Sequence, residues 1–167
     1  MSAPPTATWE APEAPAGPAP GVKFAGHPAR LFAYIIDSFI QIVLGGAVVF
    51  VLGLFGLFVG GGSGDSAATG ATIGILVGAV AFFLITIVYF PWFWSRGGQT
   101  PGMKALEIRV VRDEDGGKVT VGKAILRLIG FWISAWVLYI GFAWILVDKR
   151  RRGWADLFAG TCVVEAD

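Results

Sequence analysis

The chain has 167 residues, of which 55% are hydrophobic and 15% charged, and its formal net charge is +1. That charged share is well below the roughly 25% of a soluble domain, and a mean hydropathy of +0.68 is more than one soluble core can hide. These values argue against a soluble enzyme and a basic nucleic-acid binder, and a single cysteine, Cys162, excludes an intrachain disulfide and a CxxC metal site.

Residues 1–28 hold seven of the nine prolines, mixed with Ala, Gly and Thr. Such a segment buries too little apolar surface to offset its ordering entropy, which predicts a disordered Pro-rich tail. It lacks the basic start and the apolar stretch of a signal peptide. Residues 29–167 read as a membrane domain, because the apolar residues lie in three blocks, Leu31–Val59, Ala71–Trp94 and Ala124–Val147. Uninterrupted apolar runs of about 20 residues read as membrane spans. Two transmembrane helices are placed at about 31–58 and 71–94, separated by the glycine-rich stretch that begins at Gly60. Pro91, Trp92 and Trp94 predict a kinked exit at the membrane interface, where Trp is enriched.

The polar loop 95–123 carries a hairpin pattern. Leu106, Ile108 and Val110 alternate with Glu107 and Arg109, Asp113–Gly117 supplies turn residues, and Val119 and Val121 alternate again. This predicts a small cytoplasmic β-hairpin, and the C-terminal GTCVVEAD offers a further short strand. Of the 13 Lys and Arg, two precede the first span, seven lie between Arg96 and Arg127, and four form Lys149–Arg152. The positive-inside rule puts the N-terminus and the loop in the cytoplasm.

The third apolar segment, 124–147, is the point of conflict. A single crossing puts Lys149–Arg152 outside; a re-entrant hairpin, turning around Ser134–Gly141, keeps every basic residue inside. Both arrangements stand at this point. Only the second lets Cys162–Val164 pair with Glu107–Val111. The fold class is therefore an all-α membrane protein with two spans, a third segment that re-enters or crosses, a small hairpin and a tail.

Polar residues inside these blocks are the candidate site. Arg30 and Asp37 are seven residues apart, nearly on one line along a helix, with Tyr34 and Gln41 close to that line. An ionised carboxylate in the membrane costs at least about 2.5 kcal/mol, so it faces protein or water, pairs with a cation, or stays protonated. Asp37 is either an ion- or proton-binding carboxylate or a buried partner that fixes helix packing. Arg127 either snorkels to the headgroups or pairs with Asp37 or Asp156. Lys149–Arg152 are expected to attract anionic lipid headgroups, and Trp154 to anchor at the interface. Gly56-x-x-x-Gly60 and Gly74-x-x-x-Gly78 permit close helix approach, within the chain or between copies. With His27 as the only histidine, no catalytic triad or histidine metal cluster can be built, and no cofactor motif is present.

Three stretches, PARLFAYIIDSFI, GGQTPGMKALEIRVVRDEDGGKVTVGKAILR and DKRRRGWADLFAGTCVV, resemble the RDD family of bacterial membrane proteins, in order and spacing over about residues 24–165. The family is named for one arginine and two aspartates, which correspond to Arg30, Asp37 and Asp156. Its glycine–threonine–glycine turn matches Gly98, Thr100 and Gly102, with Pro101 replacing the usual apolar residue. The resemblance implies a multi-pass protein of the bacterial plasma membrane whose general activity is not established. Two functions remain in view. One is an assembly or accessory module for membrane complexes, acting as a homo-oligomer or on a membrane-protein partner. The other is an ion- or solute-transport component using Asp37. An enzyme is not expected.

Overall fold

The computed structural model describes residues 17–138 and 140–166. In chain order these form α1 (His27–Val59), α2 (Gly64–Arg96), α3 (Pro101–Ala105), β1 (Ile108–Arg112), α4 (Val121–Trp136), α5 (Ile140–Ala143) with a 3₁₀ turn over Trp144–Leu146, α6 (Trp154–Ala159) and β2 (Thr161–Glu165).

Helix α1 starts with Pro28 in its first turn, where the fixed φ is already helical. It ends at Gly60, and the reversal into α2 places Gly61, Gly62 and Gly64 at φ of 94°, 73° and 74°. Glycine enters this left-handed region without steric cost. Each of these helices has 33 residues, or about 50 Å, against a hydrocarbon core of about 30 Å. They run antiparallel in close contact. A Cβ on Gly56 would strike the Gly70 carbonyl oxygen, one on Gly74 the Leu52 carbonyl oxygen, and one on Gly78 would lie 2.8 Å from the Val49 Cα. Both glycine pairs therefore serve packing inside the chain. The outward faces are left apolar, with Phe39, Ile42, Phe50, Leu76, Val80 and Val88 exposed.

Apart from that helical pair, everything gathers at one end. The start of α1, the end of α2, the start of α4 and the sheet enclose a core that includes Ala33, Trp94, Ile108, Val110, Leu128 and Val163. Helix α4 is capped by Thr120, whose hydroxyl accepts from the Lys123 N–H at 3.4 Å. It buries Ala124, Arg127, Leu128, Gly130 and Ser134, a spacing of three and four residues that forms one face. Beyond α4 the chain bends by 112° into Ile140–Leu146. It then returns, because Asp156 of α6 meets Arg127 at the start of α4.

The expected hairpin is corrected by the structure. Residues Asp113–Gly117 do turn, with Arg112 N–H bonded to the Gly117 carbonyl at 2.9 Å. The chain leaving the turn enters α4 instead of pairing back. Two bonds explain why. Val110 N–H donates to the Gly98 carbonyl at 2.7 Å, and the Gln99 amide donates to the Ile108 carbonyl at 3.1 Å. One edge of β1 is thus taken by the turn after α2. The other edge pairs antiparallel with β2, in the register Val110↔Val163 and Val111↔Cys162, which is the pairing that a returning third segment allows.

The tail expected over residues 1–28 falls mostly outside the described residues. Its described part includes Phe24, which bridges to Val164, and Ala25, whose N–H donates to the Val163 carbonyl at 3.0 Å. The second edge of β2 is covered in this way.

Candidate functional site

Asp37 lies on the buried face of α1, with Ala33 and Gln41 one turn to either side. Its carboxylate takes three hydrogen bonds from three different places. Thr100 Oγ1 donates to Oδ2, the Gly102 N–H donates to Oδ1 at 2.9 Å, and the Tyr89 hydroxyl donates to Oδ1 at 3.2 Å. Thr100 also caps α3 by accepting from the Met103 N–H at 3.2 Å. Pro101 fits the first turn of that helix, as proline does elsewhere. A Cβ on Gly102 would collide with the Ala33 carbonyl and the Asp37 carboxylate. Asp37 thus fastens the Gly98–Gly102 turn onto α1 and α2. Among the described residues no cation lies within ion-pair distance of it. One turn deeper, Gln41 accepts from the Thr86 hydroxyl at 3.3 Å, while its Nε2 is buried without a partner.

The arginines belong to Asp156. Arg127 Nη1 forms a close ion pair with Asp156 Oδ1 and also donates to Thr161 Oγ1 at 2.8 Å. Arg30 Nη1 lies 3.5 Å from Asp156 Oδ2, and its Nη2 donates to the Val163 carbonyl at 2.9 Å. Asp156 further accepts from the Gly153 N–H at 3.1 Å, reaching back to the start of its own helix. The Arg127 guanidinium sits 4.9 Å above the Trp94 ring, an attractive placement for a cation. These three charges tie α1, α4, α6 and β2 together. Two guanidiniums face one carboxylate, and all three side chains are less than 10% exposed.

Of the residues singled out from the sequence, Arg30, Arg127 and Asp156 form one cluster and Asp37 a separate latch. Tyr34 packs its ring, tilted, against Phe131 at 4.7 Å and Phe142 at 5.9 Å. A cavity of about 470 Å³ joins the two groups; Arg30, Tyr34, Asp37, Arg127 and Asp156 all line it. No group of three or more His, Cys, Asp or Glu side chains that could hold a metal ion converges among the described residues.

A further charge cluster gathers around Asp113 and Asp148. Asp113 Oδ2 accepts from Arg150 at 2.8 Å and Arg152 at 2.9 Å, and Asp148 holds Arg152 at 3.1 Å. The hydrogen bond from Arg152 keeps the Asp148 carboxyl below the usual carboxylate range. Arg151 donates to the carbonyls of Phe24 and Ala25, each at 3.4 Å. Three of the four basic residues expected to face lipid are therefore engaged inside the fold. The spacing of Asp148 and Arg152, four apart, was the available clue. Cys162 is fully buried in β2, and burial pushes its thiol up to about 12.

The RDD family pattern matches residues 24–160, which include α1 through α6 and both charge clusters. The chain belongs to the RDD family. A relative in Bacillus subtilis (strain 168), named uncharacterized protein YxaI, is 28% identical over 151 residues, covering 85% of this chain and 97% of that protein. No solved structure matches. Arg30 and Asp156 meet across the fold at 3.5 Å, whereas Asp37 meets only uncharged donors among the described residues.

Proposed function

We propose that this RDD protein is a non-catalytic accessory module of the bacterial plasma membrane that holds a partner membrane protein or a second copy of itself. The observation that carries this reading is the occupation of Asp37. An intramembrane acid is expensive and is kept for a purpose. Here both oxygens hold α3 and α2 against α1, so the carboxylate stabilises an arrangement. The exposed apolar faces of α1 and α2 meet lipid and partner. The N-terminus and the sheet lie in the cytoplasm, and α4 with residues 140–146 forms a re-entrant segment, which puts every basic residue on one side as the positive-inside rule requires. Lys149, outside the clusters of its neighbours, is the contact to anionic headgroups.

A second reading, ion or solute transport, is favoured by the cavity that brings Asp37 beside Arg30, Arg127 and Asp156. One comparison separates the two. Wild type and Asp37→Asn are reconstituted in liposomes for flux across cation and pH gradients, and recovered from membranes with their partners. The accessory reading expects no flux from the wild type and a partner recovery that falls with Asp37→Asn. Flux that is lost in a normally inserted Asp37→Asn protein rejects it in favour of transport.

A further inference from the structure

Arg30 and Arg127 are 9% and 6% exposed at the side chain and share one carboxylate, Asp156. The other acid on the cavity wall, Asp37, is occupied by Tyr89, Thr100 and Gly102. Three donor atoms are also left buried without a partner: Arg30 Nε, Arg127 Nε and Trp94 Nε1. All three belong to residues that line the cavity. A buried donor left unmade costs about 1–3 kcal/mol, and more when charged. An anionic group in the cavity would give Arg30 and Arg127 a second counter-charge beside Asp156.

Apart from His27, the rest of the cavity wall is largely hydrocarbon and aromatic, including Leu31, Phe90, Phe131, Phe142 and Leu146. Leu31 is 60% and Leu146 73% exposed, so the apolar wall continues onto the outer surface of the protein. We propose that this cavity binds an anionic amphiphile, with its phosphate or carboxylate head at Arg30 and Arg127 and its chain along the aromatic wall. The proposal goes beyond the accessory reading and does not depend on it.

The full chain, purified in a neutral maltoside detergent, is titrated with phosphatidylglycerol, phosphatidylcholine of the same chains, oleate and inorganic phosphate. Retention is read by native mass spectrometry and by melting temperature. The expected result is one phosphatidylglycerol or one oleate per chain, bound at least about tenfold tighter than phosphatidylcholine, as a charge-assisted contact supplies. The tighter of the two names the source, phospholipid or fatty acid. Inorganic phosphate alone should give no shift. Two variants complete the test. Ala143→Phe adds bulk at the exposed wall without removing a charge; it should melt like the wild type without lipid and lose the bound amphiphile. Arg30→Gln leaves Arg127 paired to Asp156 and should lose the preference for the anionic lipid. Equal retention of phosphatidylglycerol and phosphatidylcholine by the wild type, unaltered binding in folded Ala143→Phe, or full stabilisation by phosphate alone would overturn the proposal.

Discussion

At its glycine-rich turn the α1–α2 pair is held by backbones in close approach, whereas at the opposite end the same helices are joined by directed polar bonds. Between Gln41 and Arg96 the only charged residue is Asp65, beside the turn. Contact there depends on Gly56, Gly70, Gly74 and Gly78 leaving room for a neighbouring main chain. Around Asp37 and Asp156, by contrast, directed polar bonds cross an apolar core that includes Trp94, Ile108 and Leu128. In lipid, apolar side chains gain little by leaving one apolar surface for another, so close packing and hydrogen bonds are the available forces. The chain uses one at each end.

The sharpest break is expected at Asp156. Asp156→Ala strands two buried guanidiniums, and breaking one buried pair costs about 3–5 kcal/mol, a large part of a typical folding free energy of about 5–15 kcal/mol. The yield of monodisperse protein and its melting temperature should both collapse. A double-mutant cycle on the melting free energy should give strong coupling between Arg127 and Asp156 and almost none between Arg127 and Asp37. Comparable coupling for both aspartates would contradict the separation of latch and cluster.

The glycine end should respond next. Gly56→Leu drives a side chain into the Gly70 backbone, and overpacking of this kind costs about 1–3 kcal/mol. Gly46 lies in the same helix with nothing within 4 Å of its missing Cβ. Gly46→Ala should therefore be neutral or stabilising by up to about 1 kcal/mol through helix propensity. Equal melting shifts for the two variants would remove close approach as the reason for the glycines.

Asp37→Asn comes third. It keeps the shape but presents an amide where Thr100 or Gly102 donates, which costs about 1–3 kcal/mol for the opposed group. The effect should be local: faster amide exchange at Met103 and Lys104 of α3, with α4 and β2 unchanged. Uniform acceleration through the whole protein would mean that the latch is not separable from the rest.

The smallest effect is one of pH. The Asp148 carboxyl is depressed in the folded protein by its bond from Arg152. Its contribution is complete above the unfolded value of about 3.9 and is lost as pH falls through the lower folded value. Melting temperature should therefore fall more steeply below pH 4 in the wild type than in Asp148→Asn. Parallel curves would show that this bond adds nothing to stability.

The two long helices were legible because apolar runs of that length have few other uses, and Asp37 stood out for the same reason. Its partners did not. Tyr89, Thr100 and Gly102 follow it by 52, 63 and 65 residues, and no local pattern links positions that far apart. Arg127 was left between Asp37 and Asp156 because both lie within reach until the third segment's return is known. The hairpin failed for a local reason: Val119 and Val121 alternate like a strand, but Thr120 between them caps a helix, and short apolar alternations do not separate the two cases.

The closure of β1 by β2, and of Arg30 by Asp156, sets an order of events during synthesis. Arg30 is made 126 residues before the aspartate that receives it. At roughly 5–20 residues per second, that is a wait of about 6–25 s, and α1 and α2 are completed in roughly its first half. The helical pair can insert and pack on its glycines early, while its polar end stays open. Only when the ribosome has delivered α6 and β2 can the sheet close over the start of α1, so this closure comes late, well after the helical pair has been made.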